Sequence, residues 1–486
     1  MASTFNLVRN SRVFFTTNVS ASTGVIPDHT GTACSTSNTF ELQVLDGFSF
    51  SQGTQQSVIQ ISEAGATPVR GQRAFNTQLD PVDFSFSMYV RPFLDTGLVT
   101  AEESYLWNAL LSANPISTGI AVTGISSFSR PATTSATATI TCSAVNLSSN
   151  SINAGDFLAL GSFTPTTVTN VTSWEGPVKL LSFGGTTSAA TSLVVEYQAA
   201  PPTSVGLTLV TATAMALFKC AWVPQATAWT TPAHSLVHTA GSNLNQLQKF
   251  GMIFSVDNII YVVDNCALDQ ASIDFGLDGI ATIAWTGKGT VLRPIPTATL
   301  TGSVFGGTGL ATGTAKAKND SANYITNKLS TMALQGGIQG GGTAYNIALT
   351  GGNLTIANNI SYVTPANLGV VNETIGYFTG TRSITGNVTA YLRTGTNNSA
   401  QVLENILSAN ASETKFKAQI EVGGLANAIR VELKMNGVVL QVPTVETADV
   451  MSTTINFTAQ GYDPTISVNT YDLERTNDLQ VTYYSS

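Results

Sequence analysis

Residues 83–91 read Asp-Phe-Ser-Phe-Ser-Met-Tyr-Val-Arg, and residues 100–113 read Thr-Ala-Glu-Glu-Ser-Tyr-Leu-Trp-Asn-Ala-Leu-Leu-Ser-Ala. The first alternates apolar and polar side chains with period two, as a strand with one buried face requires. The second sets Tyr105, Leu106, Ala109 and Leu110 at helical spacing, with Thr100 and Glu103 placed as a capping box. The same succession of strand and helix returns later in the chain. Asn387–Arg393 alternates likewise, and Ser399–Ala409 carries Val402, Leu403, Ile406 and Leu407 on one helical face. Both helices run into Ser-Ala-Asn, at residues 112–114 and 408–410.

The two occurrences extend outward into an ordered set. Met88-Tyr89-Val90-Arg91 parallels Ala390-Tyr391-Leu392-Arg393 at an offset of 302 residues, and Gly47–Ser51 parallels Asn353–Ala357 at 306. Asn10–Val13 parallels Thr326–Leu329, and after each helix Thr282–Thr286 parallels Thr454–Thr458 at 172. Five elements in one order predict a duplicated β-rich module carrying one helix per copy. The fall in offset after the helix means that the first copy holds extra chain. Residues 116–213 supply it, with strand-like pieces at Thr137–Ser143, Asp156–Leu160, Pro177–Ser182 and Ser192–Tyr197, and read as a small inserted β domain. The expected division is 1–115 and 214–296 for the first module, 297–321 for a Gly/Thr-rich linker and 322–486 for the second module. The module helices are expected to bury Tyr105, Leu106, Trp107, Leu110, Leu403 and Ile406.

The chain has 486 residues, 43% hydrophobic and only 10% charged, with a net charge of −8. An average soluble domain carries about 25% charged residues. Such apolar content excludes a disordered polyelectrolyte, and scarce Glu, Lys and Arg exclude a long coiled coil. The acidic balance argues against gripping nucleic acid through phosphate neutralisation. No basic-then-apolar signal opens the chain, and Val205–Phe218 is too short for a bilayer span, so a soluble protein made inside the cell is expected. Cys34, Cys142, Cys220 and Cys266 lack zinc spacing and are expected as free thiols, Cys220 and Cys266 within apolar strands.

Catalytic chemistry is not legible. Of His29, His234 and His238, the last two are four apart, but Pro232 precedes them and no third ligand is near, so the pair reads as loop. Gly287-Lys288 lacks the remainder of a phosphate loop, and no nucleophile elbow occurs. The acidic pairs Asp80/Asp83, Glu102/Glu103 and Asp274/Asp278 read as solvated faces or a first helical turn rather than as catalytic carboxylates. Asn-x-Ser/Thr triplets such as Asn146, Asn170 and Asn387 follow from composition. Trp107, Trp222, Trp285, Tyr89 and Tyr391 read as core, and no basic–aromatic platform for single strands is present. No catalytic, cofactor-binding or metal-binding residue is assigned.

Several runs are shared with a known family. They are Arg9–Phe14, Glu63–Asn76, Asp83–Tyr89, Tyr105–Leu110, Asn265-Cys266, Gln270-Ala271 and Thr282–Gly287. Tyr324–Leu329, Leu349–Pro365, Ile375–Gly380 and Pro443–Val450 continue them through the second half. Together they resemble the tail tube proteins of long-tailed bacteriophages of the T-five type, over about three-quarters of the chain. The insert at 116–213 departs from that pattern.

The resemblance implies a mainly β fold of two tandem tail-tube modules, each of packed antiparallel sheets with a flanking helix, besides the insert. It implies a homotrimer closing a ring of pseudo-sixfold symmetry, with rings stacked into a hollow tube. Such a tube is a virion structural element without enzymatic activity or cofactor, and it conducts double-stranded DNA into a bacterium. The implied partners are further copies, a tape-measure protein, a tail terminator and tail-tip or baseplate proteins. The implied location is the virion tail, after synthesis in the host cytoplasm. Part of Asp80, Asp83, Asp274, Asp278, Glu446 and Asp449 is expected to face the lumen, where negative charge lets DNA slide, and the insert is expected to decorate the outer wall. The competing readings are the tube of a contractile tail or secretion device and, from another class, a secreted β-domain adhesin or hydrolase.

Overall fold

The computed structural model describes residues 11–20, 22–26, 38–59, 73–95, 98–111, 116–132, 135–150, 152–164, 174, 176–197, 206–219, 221–222, 235–239, 247–256, 259–277, 279–295, 324–336, 344–368, 371–408, 415–424, 429–446, 450–459 and 478–485. His29, Cys34, Cys220, His234, Asp278, Asp449 and the expected 297–321 linker lie outside the described residues.

Before the insert come β1 (Ser11–Thr16), β2 (Thr39–Leu42), β3 (Ser49–Ile59), β4 (Arg73–Tyr89), β5 (Pro92–Asp95), β6 (Leu98–Ala101) and α1 (Ser104–Leu111). Six strands follow: β7 (Ile116–Ser129), β8 (Thr137–Val145), β9 (Phe157–Thr164), β10 (Gly176–Thr186), β11 (Ala189–Tyr197) and β12 (Gly206–Lys219). Then come β13 (Ala221–Trp222), β14 (Ser235–Thr239), β15 (Phe250–Val256), β16 (Ile259–Gly276), β17 (Thr282–Gly289) and β18 (Leu292–Ile295). The second half opens with β19 (Thr331–Gly336), β20 (Ala344–Ile347), β21 (Leu349–Ala357), β22 (Ile360–Val363), β23 (Gly376–Thr379), β24 (Ser383–Tyr391) and α2 (Ser399–Ser408). It closes with β25 (Lys415–Val422), β26 (Arg430–Leu440), β27 (Thr444–Glu446), β28 (Ser452–Ala459) and β29 (Gln480–Tyr484). The fold is mainly β.

Alternation decides which way each strand faces. In β4, Phe84, Phe86 and Met88 are buried while Asp83, Ser85 and Ser87 point to the opposite face. Register extends this pattern across an antiparallel sheet ordered β3–β4–β17–β16–β21–β24–β28–β27. The β16–β21 ladder, from Gln270 opposite Ala357 to Gly276 opposite Gly351, joins strands of the two halves into one surface. A second layer packs on the inner face. It pairs β1 with β2 and β15, and β15 with β16, in the first half. In the second half β19 pairs with β20 and β25, and β25 with β26. The order of pairings is therefore the same on both sides of the β16–β21 ladder.

One hydrophobic cluster runs through both halves, from Phe15 and Trp107 to Ile455 and Tyr483. Trp107 and Trp285 meet edge to face at 5.1 Å and are fully buried, which binds α1 to the sheet. Burying each such side chain contributes on the order of 2–3 kcal/mol. Strands β7–β12 close into a separate barrel with its own core, and the last of them runs across residue 213. Within that core Trp174 packs 5.0 Å from Phe128 and 6.3 Å from Tyr197, whose hydroxyl donates to the Trp174 carbonyl at 2.8 Å. Closure leaves that barrel without open edges.

Four local expectations are corrected. Thr100 does not cap α1, because it lies in β6, opposite Phe93 of β5, and its backbone is committed to that hairpin. The helix instead starts one turn later, with the Glu103 carbonyl accepting from the Leu106 and Trp107 amides at 3.0 Å each. Glu102 and Glu103 are 3% and 0% exposed, so neither forms a solvated face. In α2, Val402 is fully buried and Leu403 and Ile406 are half-buried, but Leu407 is 65% exposed. The sheet registers also pair Ser49 with Ser85 and Asn353 with Asn387, and Thr282 with Tyr89 and Ser452 with Tyr391. Starting from Tyr89 and Tyr391, Ser49 thus corresponds to Asn353 and Thr282 to Ser452. Each match moves two residues from the sequence alignment, a shift that alternation cannot detect because it preserves the face.

Candidate functional site: the polar face of the joined sheet

The outward face of the joined sheet is polar. Its strands contribute Ser49, Ser51, Ser85, Ser87, Ser272, Asn353, Thr355, Thr385, Asn387, Thr454, Asn456 and Thr458, none of them buried. Short polar side chains in ladders satisfy one another across strands. Ser49 and Ser85 hydroxyls lie 2.8 Å apart, Asn353 Nδ2 donates to Ser272 Oγ at 2.9 Å, and Thr355 Oγ1 donates to Asn353 Oδ1 at 2.9 Å. On the core side, close packing depends on glycine. A Cβ on Gly287 would collide with the Phe84 ring and lie 2.8 Å from the Ala267 carbonyl oxygen. In the second half the roles reverse, with Gly386 beneath the Phe457 ring in an equivalent cross-strand pair.

Of the predicted acidic residues, Asp83 and Asp274 stand exposed on this face. Lys288 Nζ donates to Asp83 Oδ1 at 2.8 Å, and Asn353 Nδ2 donates to Asp274 Oδ1. Lys288 was missed as a site residue because only the β4–β17 register sets it opposite Asp83. The pair neutralises itself and, being exposed, contributes roughly 0–1 kcal/mol to stability. Asp80 is half-buried and accepts from Gln55 Nε2 at 3.0 Å, while Glu446 is exposed on β27. Asp80 and Asp83 share β4 while Asp274 and Glu446 lie on β16 and β27, and the four form no cluster. A shallow cavity of about 260 Å³ lies on the face, lined by Ser49, Ser51, Asp83, Asp269, Thr286 and Lys288 among others. No group of three or more metal-ligating side chains occurs among the described residues. Among the same residues no helix is long and apolar enough to cross a membrane.

Of the expected helix residues, Leu106, Trp107 and Leu110 are fully buried, while Tyr105 is half-buried and stacks on Phe40 at 3.6 Å. Asn358 Nδ2 donates to the Leu110 carbonyl at 3.0 Å and so satisfies the end of α1. Cys142 and Cys266 are buried free thiols, and burial pushes both up from the ordinary thiol range. Such thiols are poor nucleophiles. The joined sheet is therefore a wide, hydroxyl- and amide-bearing surface with a few scattered carboxylates, of which Asp83 is paired with Lys288.

No protein-family model matches the chain. It is 23% identical over 460 residues to the tail tube protein pb6 of Escherichia phage T5, covering 93% of this chain and 72% of that protein. The chain thus resembles a phage tail tube protein over nearly its whole length. The face is continuous across the two halves because β16 and β21 pair within one chain.

Proposed function

We propose that three copies of this chain close a ring of six similar modules, that the rings stack into a tube, and that the polar sheet face lines the channel through which double-stranded DNA passes. The observation that carries the reading is the β16–β21 ladder, an internal junction whose two edges recur at the ends of the sheet. The start of β3 occupies the position in the first half that β21 occupies in the second, and β27 occupies that of the C-terminal part of β16. Copying the internal register onto a second copy sets Thr444 opposite Ser51, Val445 opposite Phe50 and Glu446 opposite Ser49. Glu446 then repeats Asp274, and Ser49 repeats Asn353, its donor. Closing the sheet on itself removes the exposed edges that otherwise invite aggregation.

In this reading the lumen carries hydroxyls, amides and scattered carboxylates, among them Asp83, Asp274 and Glu446, with Lys288 masking the first. Such a wall neither releases counterions from DNA nor holds its phosphates, so the duplex slides. The β7–β12 barrel stands on the outer wall. Assembly proceeds around a tape-measure protein, between a terminator and a tail tip, after synthesis in the host cytoplasm, and no enzymatic step is involved. Negative-stain microscopy of the purified chain or of its virion tests the reading. Stacked rings with a central channel are expected, and a dispersed monomer that cleaves polysaccharide overturns it.

A further inference from the structure

The strand β29 bridges β14 and β26, and its two tyrosines enter two charge clusters, each holding two carboxyls and an arginine. Tyr483 and Tyr484 are successive in an extended strand, so they point to opposite sides of it, and both are buried. On one side the Tyr483 hydroxyl accepts from Trp107 Nε1 at 2.5 Å and stands beside the carboxyl of Glu103. The groups facing Glu103 are Glu102, Arg91 and Tyr483. Arg91 Nη2 donates to Glu102 Oε1 at 3.2 Å, with both side chains buried. One guanidinium thus serves two buried carboxyls.

On the other side the groups facing Glu432 are Glu421, Lys434 and Tyr484. Arg430 Nε donates to Glu421 Oε2 at 3.1 Å, and its guanidinium lies 3.8 Å from the Tyr484 ring centre. The Tyr484 hydroxyl donates to Glu432 Oε2 at 3.3 Å, and Gln419 Nε2 bridges Glu421 and Glu432 at 2.8 and 3.1 Å. Arg430 thus pairs with Glu421, while Lys434 is the cation that faces Glu432.

Removing a charge from water without compensation is expensive, so in each cluster one carboxyl keeps its proton. Burial, reinforced by Glu102, pushes Glu103 up to about 7; burial and Glu421 do the same for Glu432, also to about 7. We propose that β29 is a pH-gated latch, held while Glu103 and Glu432 are protonated and loosened when they ionise. Both groups are raised above the unfolded value of 4.5, so the native latch binds more protons than the opened one between pH 4.5 and about 7. Its stability therefore falls as pH rises through that window and levels off above it.

The test is hydrogen exchange of the full chain from pH 5 to 8.5, corrected for intrinsic rates. The opening constant of residues 480–484 is expected to rise at least tenfold between pH 5 and 7.5 and then to plateau, while residues 83–88 of β4 stay unchanged. The neutral isosteres Glu103→Gln and Glu432→Gln, singly, each halve the logarithmic rise, and together they abolish it. A flat wild-type profile overturns the latch, and so does a double variant that keeps the rise. Should the double variant fail to fold, the wild-type profile and the single variants still decide.

Discussion

Val445→Asp separates folding from assembly. Val445 lies on β27 and is 38% exposed in the single chain. Its counterpart at the internal junction, Ile273, is 2% exposed, and the residue opposite that, Leu354, is fully covered. If a second copy covers Val445 in the same way, the substitution places a carboxylate against the Phe50 ring in a closed interface. Burying an unpaired charge costs several kcal/mol, of which about 3 kcal/mol per junction is a cautious share. That weakens each junction roughly 150-fold, and a trimeric ring has three. The single chain loses little, within about 0.5 kcal/mol, because the position is exposed there. Light scattering after size exclusion, with electron microscopy of the same sample, reads the first effect, and a denaturant titration of the monomer reads the second. Monomers with wild-type stability that no longer form rings or tubes are expected. Tubes that assemble at the wild-type concentration would refute the argument that β27 is a joining edge.

Thr444→Cys with Ser51→Cys sets two thiols at the proposed cross-copy register, within disulfide reach; oxidation of assembled tubes is expected to yield dimers and trimers on non-reducing gels, and no larger species within a ring. Trp107→Phe removes the donor to Tyr483 and leaves a gap beside Trp285, so a loss of about 2–3 kcal/mol in a denaturant titration is expected. Gly287→Ala drives a methyl into the Phe84 ring and the Ala267 carbonyl, and is expected to cost at least about 2 kcal/mol, with partial recovery in the Phe84→Leu background. Lys288→Ala breaks an exposed pair, so the melting temperature is expected to move by no more than about 2 °C, and the residual effect to vanish at 1 M salt.

How far the sequence could be read follows from the range of the interaction that decides each feature. Alternation in 83–91 and in 453–458 is a local property, and β4 and β28 lie where it puts them. The register between such strands is not local, which is why the matches at Ser49 and Thr282 slipped by two residues without changing face. Thr100 and Glu103 satisfied the capping-box spacing, yet a competing hairpin with β5 took the Thr100 backbone first, a contest that no four-residue motif records. The burial of Glu103 was still harder to foresee. Its surroundings come from Arg91, twelve residues earlier, and from Tyr483, near the far end of the chain. Read alone, Glu102-Glu103 is a charged turn; only when β29 returns to cover it do the two carboxyls have to share one arginine. The same holds on the sheet face, where Asp83 acquires Lys288 through a pairing 205 residues apart. Composition could therefore announce a chain sparing with charge, but not that several of its charges are spent in pairs and triads. On the joined sheet Lys288 masks Asp83 while Asp274 and Glu446 stay exposed, and in the proposed tube such a wall of hydroxyls, amides and scattered carboxylates would let a polyanion slide without holding it.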